Sequence, residues 1–231
     1  MTQGKLTDGG RYCATPHDWH AAHRDDYSQV ETRLARTRRT LVHGRTRDAA
    51  RVLEAAFDNA VLSIRTDLDK HERAFTALWA GDKTHKEAAL MTVYGGNKKN
   101  WLRKTHESTD WETLALAVRA HVREERYVEL LEVIVDNLTG VSYRKGAFML
   151  AMSGLTEYMC IDSNVGRLAG VDMEEDFSDA GAYMGECVRV REHAPTLAAE
   201  VSPFVAQWVM YDFMRGEHAR HMAFFREVID V

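Results

Sequence analysis

Apolar and polar positions along most of the chain recur with the 3.6-residue period of an amphipathic α-helix. The clearest stripe lies in residues 49–63, where apolar side chains fall three or four positions apart: Val52, Leu53, Ala56, Phe57, Ala60 and Val61. Residues 143–152 are apolar on almost every side, which is typical of a central helix. Strand-like alternation is scarce. The pattern therefore predicts an all-α protein.

Capping and helix-breaking residues divide this pattern into separate helices. We expect helices over residues 17–42, 49–63, 67–79, 84–94, 111–121, 125–137, 143–152, 163–168, 180–193 and 203–228. Residues 1–16 contain three glycines and a proline, which predicts an irregular lead-in. The acidic stretch 172–179 is expected to be an exposed loop.

Length and composition narrow the class of protein. A chain of 231 residues can bury a sizeable core, in one domain or in two closely packed lobes. Its formal net charge of −5 excludes a protein that coats nucleic acid through overall positive charge, so a DNA site must be a local patch. The N-terminus has no apolar signal region, and no apolar run is long enough to span a membrane.

The three cysteines, Cys13, Cys160 and Cys187, are odd in number and far apart. They form neither a disulfide framework nor a zinc motif, and they are too few for the four thiolates of an iron–sulfur cluster. We therefore expect a reducing, cytoplasmic setting. Near the C-terminus, Glu217-His218-x-x-His221 departs from the H-E-x-x-H motif of zinc enzymes, and the sequence predicts no metal site.

Positive charge is concentrated in two segments. Residues 33–51 carry seven arginines against the single acid Asp48. Residues 97–104 include Lys98 and Lys99 and contain no acid. Each segment is either a solvated surface or a surface that faces phosphates, and the sequence leaves both interpretations open.

A glycine turn separates two of the predicted helices, in Leu138-Thr139-Gly140-Val141-Ser142. Glycine supplies the left-handed backbone that a tight reversal requires. The first amides of the next helix then point outward with the positive end of the helix dipole, which suits a phosphate. By itself such a turn is most often only a connection between helices.

The segments at a fixed distance after the turn are more specific. The run L-T-G-V-S-Y-R-K-G-A, an apolar helix and then C-I-D-S-N-V-G-R-L resemble the signature of the helix-hairpin-helix DNA glycosylases. Counted without gaps from Gly140, Asp162 occupies the position of the family's catalytic aspartate. Residues 62–67, L-S-I-R-T-D, resemble a further family segment that is one residue longer. The resemblance covers about residues 50–170.

The resemblance implies a two-lobed fold, with a helical barrel from residues 50–158, its hairpin at 138–145, and a second lobe from residues 1–49 and 159–231. It implies base excision: a monomer without cofactor, metal or iron–sulfur cluster binds double-stranded DNA, flips out one modified or damaged base and hydrolyses its N-glycosidic bond with Asp162. The DNA contacts it implies are Gly140, Val141, Ser142, Tyr143, Arg144, Arg65, Lys98, Lys99 and Asn164. Without the resemblance, Asp162 would be interpreted as a helix N-cap.

One departure from the family affects the predicted chemistry. Many relatives use a lysine that forms a Schiff base with the sugar and then nicks the strand, and here that position is Arg144. Arginine does not lose its proton, so it cannot form a Schiff base. Lys145 is a catalytic candidate only if the turn contains one extra residue, because neighbouring helix positions point about 100° apart.

Two other functions remain open at this stage. Phage enzymes that attach an amine or amino acid to an activated pyrimidine of DNA are thought to use the same fold, and they would lack the lysine. A non-catalytic DNA-binding relative is the third alternative. Four aromatic residues are either walls of a base pocket or ordinary core residues, and we expect the core for each: Trp19, Trp111, Tyr158 and Trp208.

Overall fold

The computed structural model describes residues 4–7, 9–62, 100–161, 163–170, 177–216, 218–219 and 221–222. These residues are mostly helical and contain almost no strand, which confirms the predicted all-α class. In chain order the helices are α1 Pro16–Ala22, α2 Arg24–His43, α3 Thr46–Leu62, α4 Asn100–Ser108, α5 Trp111–Arg123, α6 Tyr127–Asn137, α7 Tyr143–Met152, α8 Ser163–Ala169, α9 Ala180–Glu192, α10 Pro195–Glu200 and α11 Pro203–Arg215. None of these helices is long and apolar enough to cross a membrane.

The ends of the chain differ from the sequence prediction. The lead-in forms an antiparallel hairpin of β1 Lys5–Leu6 and β2 Tyr12–Cys13, rather than an irregular segment. The helix expected over 203–228 stops at Arg215, because Gly216 takes a left-handed conformation with a φ of 68°. The helices expected over 67–79 and 84–94 lie outside the described residues.

Helix α3 is the centre of the packing. It contacts α2, α4, α5 and α7. Its predicted apolar stripe is confirmed, since all of its members are at most 5% exposed: Val52, Leu53, Ala56, Phe57, Ala60 and Val61. Burying each of the larger side chains contributes about 1.5–3 kcal/mol. The prediction for α7 is also confirmed, because every residue of 146–152 is buried.

Helices α6 and α7, which flank the predicted hairpin, pack closely at Gly146. A Cβ atom at this position would lie 3.0 Å from Leu131 Cδ1 and 3.2 Å from Ile134 Cγ2. Real Cβ atoms seldom come this close to neighbouring atoms, so a side chain here would push the two helices apart. The close approach therefore fixes how α7, with the functional candidates at its start, lies against α6.

The beginning and the end of the described chain meet in space. Helix α1 packs against α10 and α11, and α11 also contacts α2 and α8. Helix α9 connects this group to the rest by packing against α6. The finer arrangement implied by the family resemblance, a barrel and a second lobe, stays a prediction.

The C-terminal end of α2 is capped by a buried side chain from α5. The Arg119 guanidinium donates from Nε to the Leu41 carbonyl oxygen at 2.5 Å and from Nη2 to the Gly44 carbonyl oxygen at 2.6 Å. The last carbonyls of a helix have no partner within the helix, and a cation is favourable at this negative end of the dipole. The Arg119 guanidinium thus supplies hydrogen-bond donors to the last carbonyls of α2, and the same group attaches this helix to α5.

The turn after α7 rests directly on the backbone of α2. Gly154 has a φ of 96°, and a Cβ atom there would lie 2.4 Å from Arg38 N and 2.5 Å from Leu34 O. Both the backbone conformation and the lack of space require glycine. This contact determines where the following residues, 155–161, run across the protein.

Replacing Gly154 with alanine is therefore expected to lower the free energy of unfolding by at least about 2 kcal/mol, through backbone strain and the clash with α2. The measurement is equilibrium unfolding in urea. Gly185→Ala is the matched control, because Gly185 lies in α9 and a methyl group at its Cα would have no neighbouring atom within 4 Å. It should stabilise by up to about 1 kcal/mol. Equal urea midpoints for Gly154→Ala and the wild type would contradict the assignment.

Candidate functional site

The turn between α6 and α7 has the backbone that its sequence predicts. Gly140 adopts a left-handed φ of 80°, and the Val141 amide donates to the Leu138 carbonyl oxygen at 2.9 Å. Leu138 and Val141 are buried on either side of the exposed glycine. The two apolar side chains therefore anchor the turn, while its tip reaches the surface.

The start of α7 presents amide donors at this surface. The first amide of the helix to bond within it is that of Gly146, which donates to the Ser142 carbonyl oxygen at 2.8 Å. Ser142 is exposed, and its side chain does not cap the helix. The amides of a first helical turn have no partner inside the helix and carry the positive end of its dipole. This end of α7 is thus chemically suited to an anion.

A carboxylate joins the start of α7 to the start of α9. Glu132 of α6 accepts a hydrogen bond from the Tyr143 hydroxyl at 2.9 Å and another from the Ala180 amide at 2.6 Å. Burial and this bond raise the pKa of Tyr143, so its hydroxyl remains protonated and donates to Glu132. Tyr143 was predicted to contact DNA, but in the structure its hydroxyl bonds within the protein. The sequence analysis did not single out Glu132.

Arg144 and Lys145, both in the first turn of α7, point in different directions. The Arg144 guanidinium carbon lies 5.7 Å from the centre of the Phe177 ring, on the side where the chain enters α9. Lys145 places its ammonium 3.4 Å from the Gly140 carbonyl oxygen. Its side chain also lines a small cavity whose other walls are apolar: Phe57, Ala60, Val61, Leu102, Val141 and Met149.

Residues 159–161, which lead to Asp162 in the sequence, are fixed by two buried side chains. The Tyr183 hydroxyl donates to the Met159 carbonyl oxygen at 2.7 Å and accepts from the Ile161 amide at 3.2 Å. The Gln207 side-chain oxygen accepts from the Cys160 amide at 2.5 Å. Burial raises the pKa of Tyr183 well above its ordinary value, so the hydroxyl is neutral and can make both bonds.

The same aromatic side chain connects this segment to the hairpin. The ring of Tyr183 packs edge-on against Phe177, with ring centres 5.0 Å apart, and Phe177 faces Arg144. Phe177 thus lies between Arg144 and the Tyr183 ring, whose hydroxyl bonds the backbone of residues 159 and 161. Neither Tyr183 nor Gln207 was predicted, because nothing in their local sequence distinguishes them from core residues of a helix.

Several predicted site residues cannot be placed in this geometry. Asp162, Arg65, Lys98 and Lys99 lie outside the described residues. Asn164 is the second residue of α8, and its side chain is likewise outside the described part of the protein. Their roles stay predictions from the sequence.

The aromatic candidates for a base pocket belong to the core or pack against it. Trp19 and Tyr158 are fully buried, and the Tyr158 hydroxyl donates to the Tyr127 carbonyl oxygen at 2.7 Å. Trp111 and Trp208 are half-buried and pack against other rings, Trp111 against Phe57 at 5.5 Å between ring centres. The core interpretation is therefore confirmed for all four.

A second polar cluster lies away from the hairpin, around the fully buried Asp212 of α11. Tyr27 donates from its hydroxyl to Asp212 Oδ2 at 2.5 Å, and His218 donates from Nδ1 to the same oxygen at 3.1 Å. His221 Nδ1 bonds the other carboxylate oxygen. The His218 Nε2 atom reaches Asp26 Oδ2 at 3.0 Å. His218 and His221, which the sequence places in a segment similar to a zinc motif, thus bind the Asp212 carboxylate.

The charges in this cluster support one another. Burial alone would raise the pKa of Asp212, but the hydrogen bonds from His218 and His221 outweigh it and lower the pKa. Burial likewise opposes the charge of His218, but its bonds to Asp212 and Asp26 raise its pKa above the ordinary value. In its protonated form, His218 is thus an imidazolium between two carboxylates. It attaches the chain beyond Gly216 to α2 and α11.

Within the described residues, no three histidine, cysteine, aspartate or glutamate side chains are arranged to hold a metal ion. The hydrogen bonds of the Asp212 cluster join α2, α11 and residue 218, which are distant in the sequence. The hairpin, by contrast, presents groups that face solvent and could meet a ligand.

Comparison of the chain with protein-family models, with curated proteins and with solved structures gives no match.

The cluster predicts a specific pH dependence of stability. Because the pKa of His218 is raised on folding, its charge stabilises the protein below about pH 6.5, and this contribution is lost as the pH rises through the folded pKa. The free-energy difference between wild type and His218→Gln should therefore be largest near pH 6 and shrink above that, as measured by urea unfolding. His193→Gln, at an exposed histidine, is the control. A difference that grows with pH would contradict the assignment.

Proposed function

We propose that this protein is a monofunctional DNA glycosylase of the helix-hairpin-helix type, which binds duplex DNA at Gly140–Arg144 and uses Asp162 to hydrolyse an N-glycosidic bond. One observation supports it above the others. The backbone of residues 159–161 is fixed by Tyr183 and Gln207, and Phe177 connects it to Arg144 of the hairpin. Packed side chains therefore connect residues 159–161, which precede the proposed carboxylate in the sequence, to the proposed phosphate-binding turn.

The hairpin supplies the contact with the DNA backbone. A phosphate oxygen accepts hydrogen bonds from the amides at the start of α7, and the helix dipole adds to their attraction. Arg144 brings a full positive charge to the same end of the helix. Such contacts set the position of the duplex without reading its sequence.

The chemistry requires a carboxylate near C1′ of the flipped nucleotide. As the bond between C1′ and the base nitrogen breaks, the base departs with the bonding electrons and the sugar develops positive charge. An ionised Asp162 stabilises that charge and accepts a proton from the water whose oxygen forms the new bond to C1′. The departing base takes up a proton in turn, and an abasic site remains.

The geometry of α7 favours a mechanism without a lysine nucleophile. Lys145 bonds the carbonyl of its own turn and faces the cavity beside α3 and α4, away from the Phe177 side of the helix. Arg144 lies on the side of the helix that faces Phe177. We therefore assign Arg144 to binding and positioning and leave bond cleavage to Asp162. The three cysteines of the chain are free thiols, which is compatible with the proposed cytoplasmic setting.

The decisive experiment compares wild type with Asp162→Asn on a panel of duplexes that carry damaged or phage-modified bases. Strand breakage after alkali reports the abasic sites. We expect Asp162→Asn to lose at least about 100-fold in the rate of base release while it binds DNA as wild type does. Asp136→Asn, which removes an exposed carboxylate near the end of α6, is the control and should keep full activity.

Two outcomes would reject this function. Full activity in Asp162→Asn would remove the proposed carboxylate from the mechanism. A wild-type protein that releases no base from any duplex, but increases the mass of a pyrimidine when an amine is supplied, would instead identify a base-modifying enzyme on the same scaffold.

A separate prediction concerns the lysine. Borohydride traps a Schiff base between a protein amine and the sugar, and we expect no trapped complex with the wild type because Arg144 replaces the nucleophile. Lys145→Met should release base at close to the wild-type rate. A borohydride-trapped wild-type complex that disappears in Lys145→Met would show instead that Lys145 is the nucleophile.

A further inference from the structure

Helix α2 is divided by charge. Its first half contains the acids Asp25, Asp26 and Glu31, whereas residues 33–43 contain no acid and four arginines. Across residues 33–51 seven arginines face one aspartate, in a chain whose formal net charge is −5. Favourable interaction with the helix dipole accounts for positive charge only in the last turn. The basic half of α2 therefore requires another explanation.

Some of these arginines have internal partners. Arg38 makes two hydrogen bonds to Glu157, at 2.6 and 2.8 Å, and Arg45 pairs with Asp48 at 2.8 Å. Arg36 and Arg39 differ from these two arginines in their surroundings. Both are exposed, and neither forms an ion pair within the part of the chain that the structure describes.

The two exposed arginines share one face of α2 with a histidine. Arg36, Arg39 and His43 are spaced by three and four residues, so they lie along the same side of α2, and all three are exposed. The two arginines carry like charges at this spacing, which repel one another and lower the stability of a helix slightly. An anion that lies along this face would relieve the repulsion.

Beside this face is a groove between α2 and the end of α5. It has a volume of about 290 Å³, and its lining combines apolar side chains with basic ones: Ala35, Val42, Val122, Arg38, Arg39 and His43. The apolar residues offer a surface for the carbon atoms of a sugar, and the basic ones offer charge for the phosphates on either side. A solvated helix face would not need the apolar recess. We call this the α2 groove.

The α2 groove also lies near the proposed active segment. Glu157, which bonds Arg38 at its wall, is five residues before position 162 in the sequence. Five residues span at most about 17 Å. One turn of duplex DNA is about 34 Å long, so a single duplex can contact both places.

We propose that the α2 groove and the exposed face beside it bind the sugar–phosphate backbone of duplex DNA through Arg36, Arg39 and His43, as a second contact beside the hairpin. The identity of the nucleic acid rests on the proposed function, whereas the preference for a polyanion follows from the charges and shape of the groove. Phosphate contacts of this kind release counterions, so each makes the affinity more sensitive to salt.

The test measures the affinity of the full-length protein for an undamaged duplex, by fluorescence anisotropy, between about 50 and 200 mM NaCl. The variant is Arg36→Gln/Arg39→Gln. The matched control is Arg11→Gln/Arg24→Gln, which removes two positive charges from exposed residues elsewhere, one of them on the first half of α2. Urea unfolding of both variants verifies that they are folded.

We expect the slope of log affinity against log salt to fall by about two in the α2 variant, with a loss of affinity of about tenfold or more near 100 mM salt. The control should retain both values. At saturating damaged DNA the α2 variant should release base at the wild-type rate, because the groove binds but does not react.

Other results separate the two proposals. An unchanged salt slope in the α2 variant would overturn the proposal that the α2 groove binds DNA, while leaving the glycosylase proposal intact. Loss of affinity for single-stranded RNA alone, with duplex binding unchanged, would also overturn it. A wild-type protein that binds no duplex would overturn both. Normal groove-dependent binding together with full activity in Asp162→Asn would reject only the glycosylase mechanism.

Discussion

The contact between Gly154 and the backbone of α2 fixes the position of the chain beyond α7. Without a Cβ atom, the turn approaches Arg38 N and Leu34 O directly. The next residues then bring Glu157 to the Arg38 guanidinium and carry the chain on to residues 159–161. Helix α2, the other partner in this contact, is held in place by Arg119 of α5, which caps its C-terminal end. The proposed site therefore depends on a contact that leaves no room for a side chain.

Buried hydrogen bonds determine the precision of that site. An unpaired polar group inside a protein costs about 1–3 kcal/mol, so buried backbone amides and carbonyls must find partners. Tyr183 and Gln207 supply partners for residues 159–161, which run outside any helix. Glu132 does the same for the start of α9. Each bond also restricts the backbone, and together they join the hairpin to the segment that precedes Asp162.

The two polar clusters of the protein have different relations to solvent. Asp212, Tyr27 and His218 form hydrogen bonds with one another in the interior, where the low dielectric strengthens each bond, and these bonds join α2 to α11. At the hairpin and the α2 groove, by contrast, amides and arginines reach the surface. Charge that is balanced internally stabilises the fold, and charge that is left at the surface is available to a ligand.

Local sequence was sufficient for the features that depend on local physics. Periodicity gave the all-α class, the buried stripe of α3 and the burial of α7, because a helix has a fixed repeat. The left-handed turn at Gly140 followed from the conformational freedom of glycine. The β-hairpin of residues 5–13 and the end of α11 at Gly216 were missed, since the local sequence at both places also fits another structure.

The partners of the polar side chains were decided by tertiary structure alone. Tyr27 and Asp212 are 185 positions apart, and Arg38 and Glu157 are 119 apart. No periodicity relates such positions, because the pairing depends on how whole helices pack. The sequence by itself thus determined which segments are helical, where the hairpin turns and, by resemblance, which aspartate to suspect. Only the packed structure decided which arginines have internal partners and which reach the surface, because that depends on the carboxylates that other helices bring near.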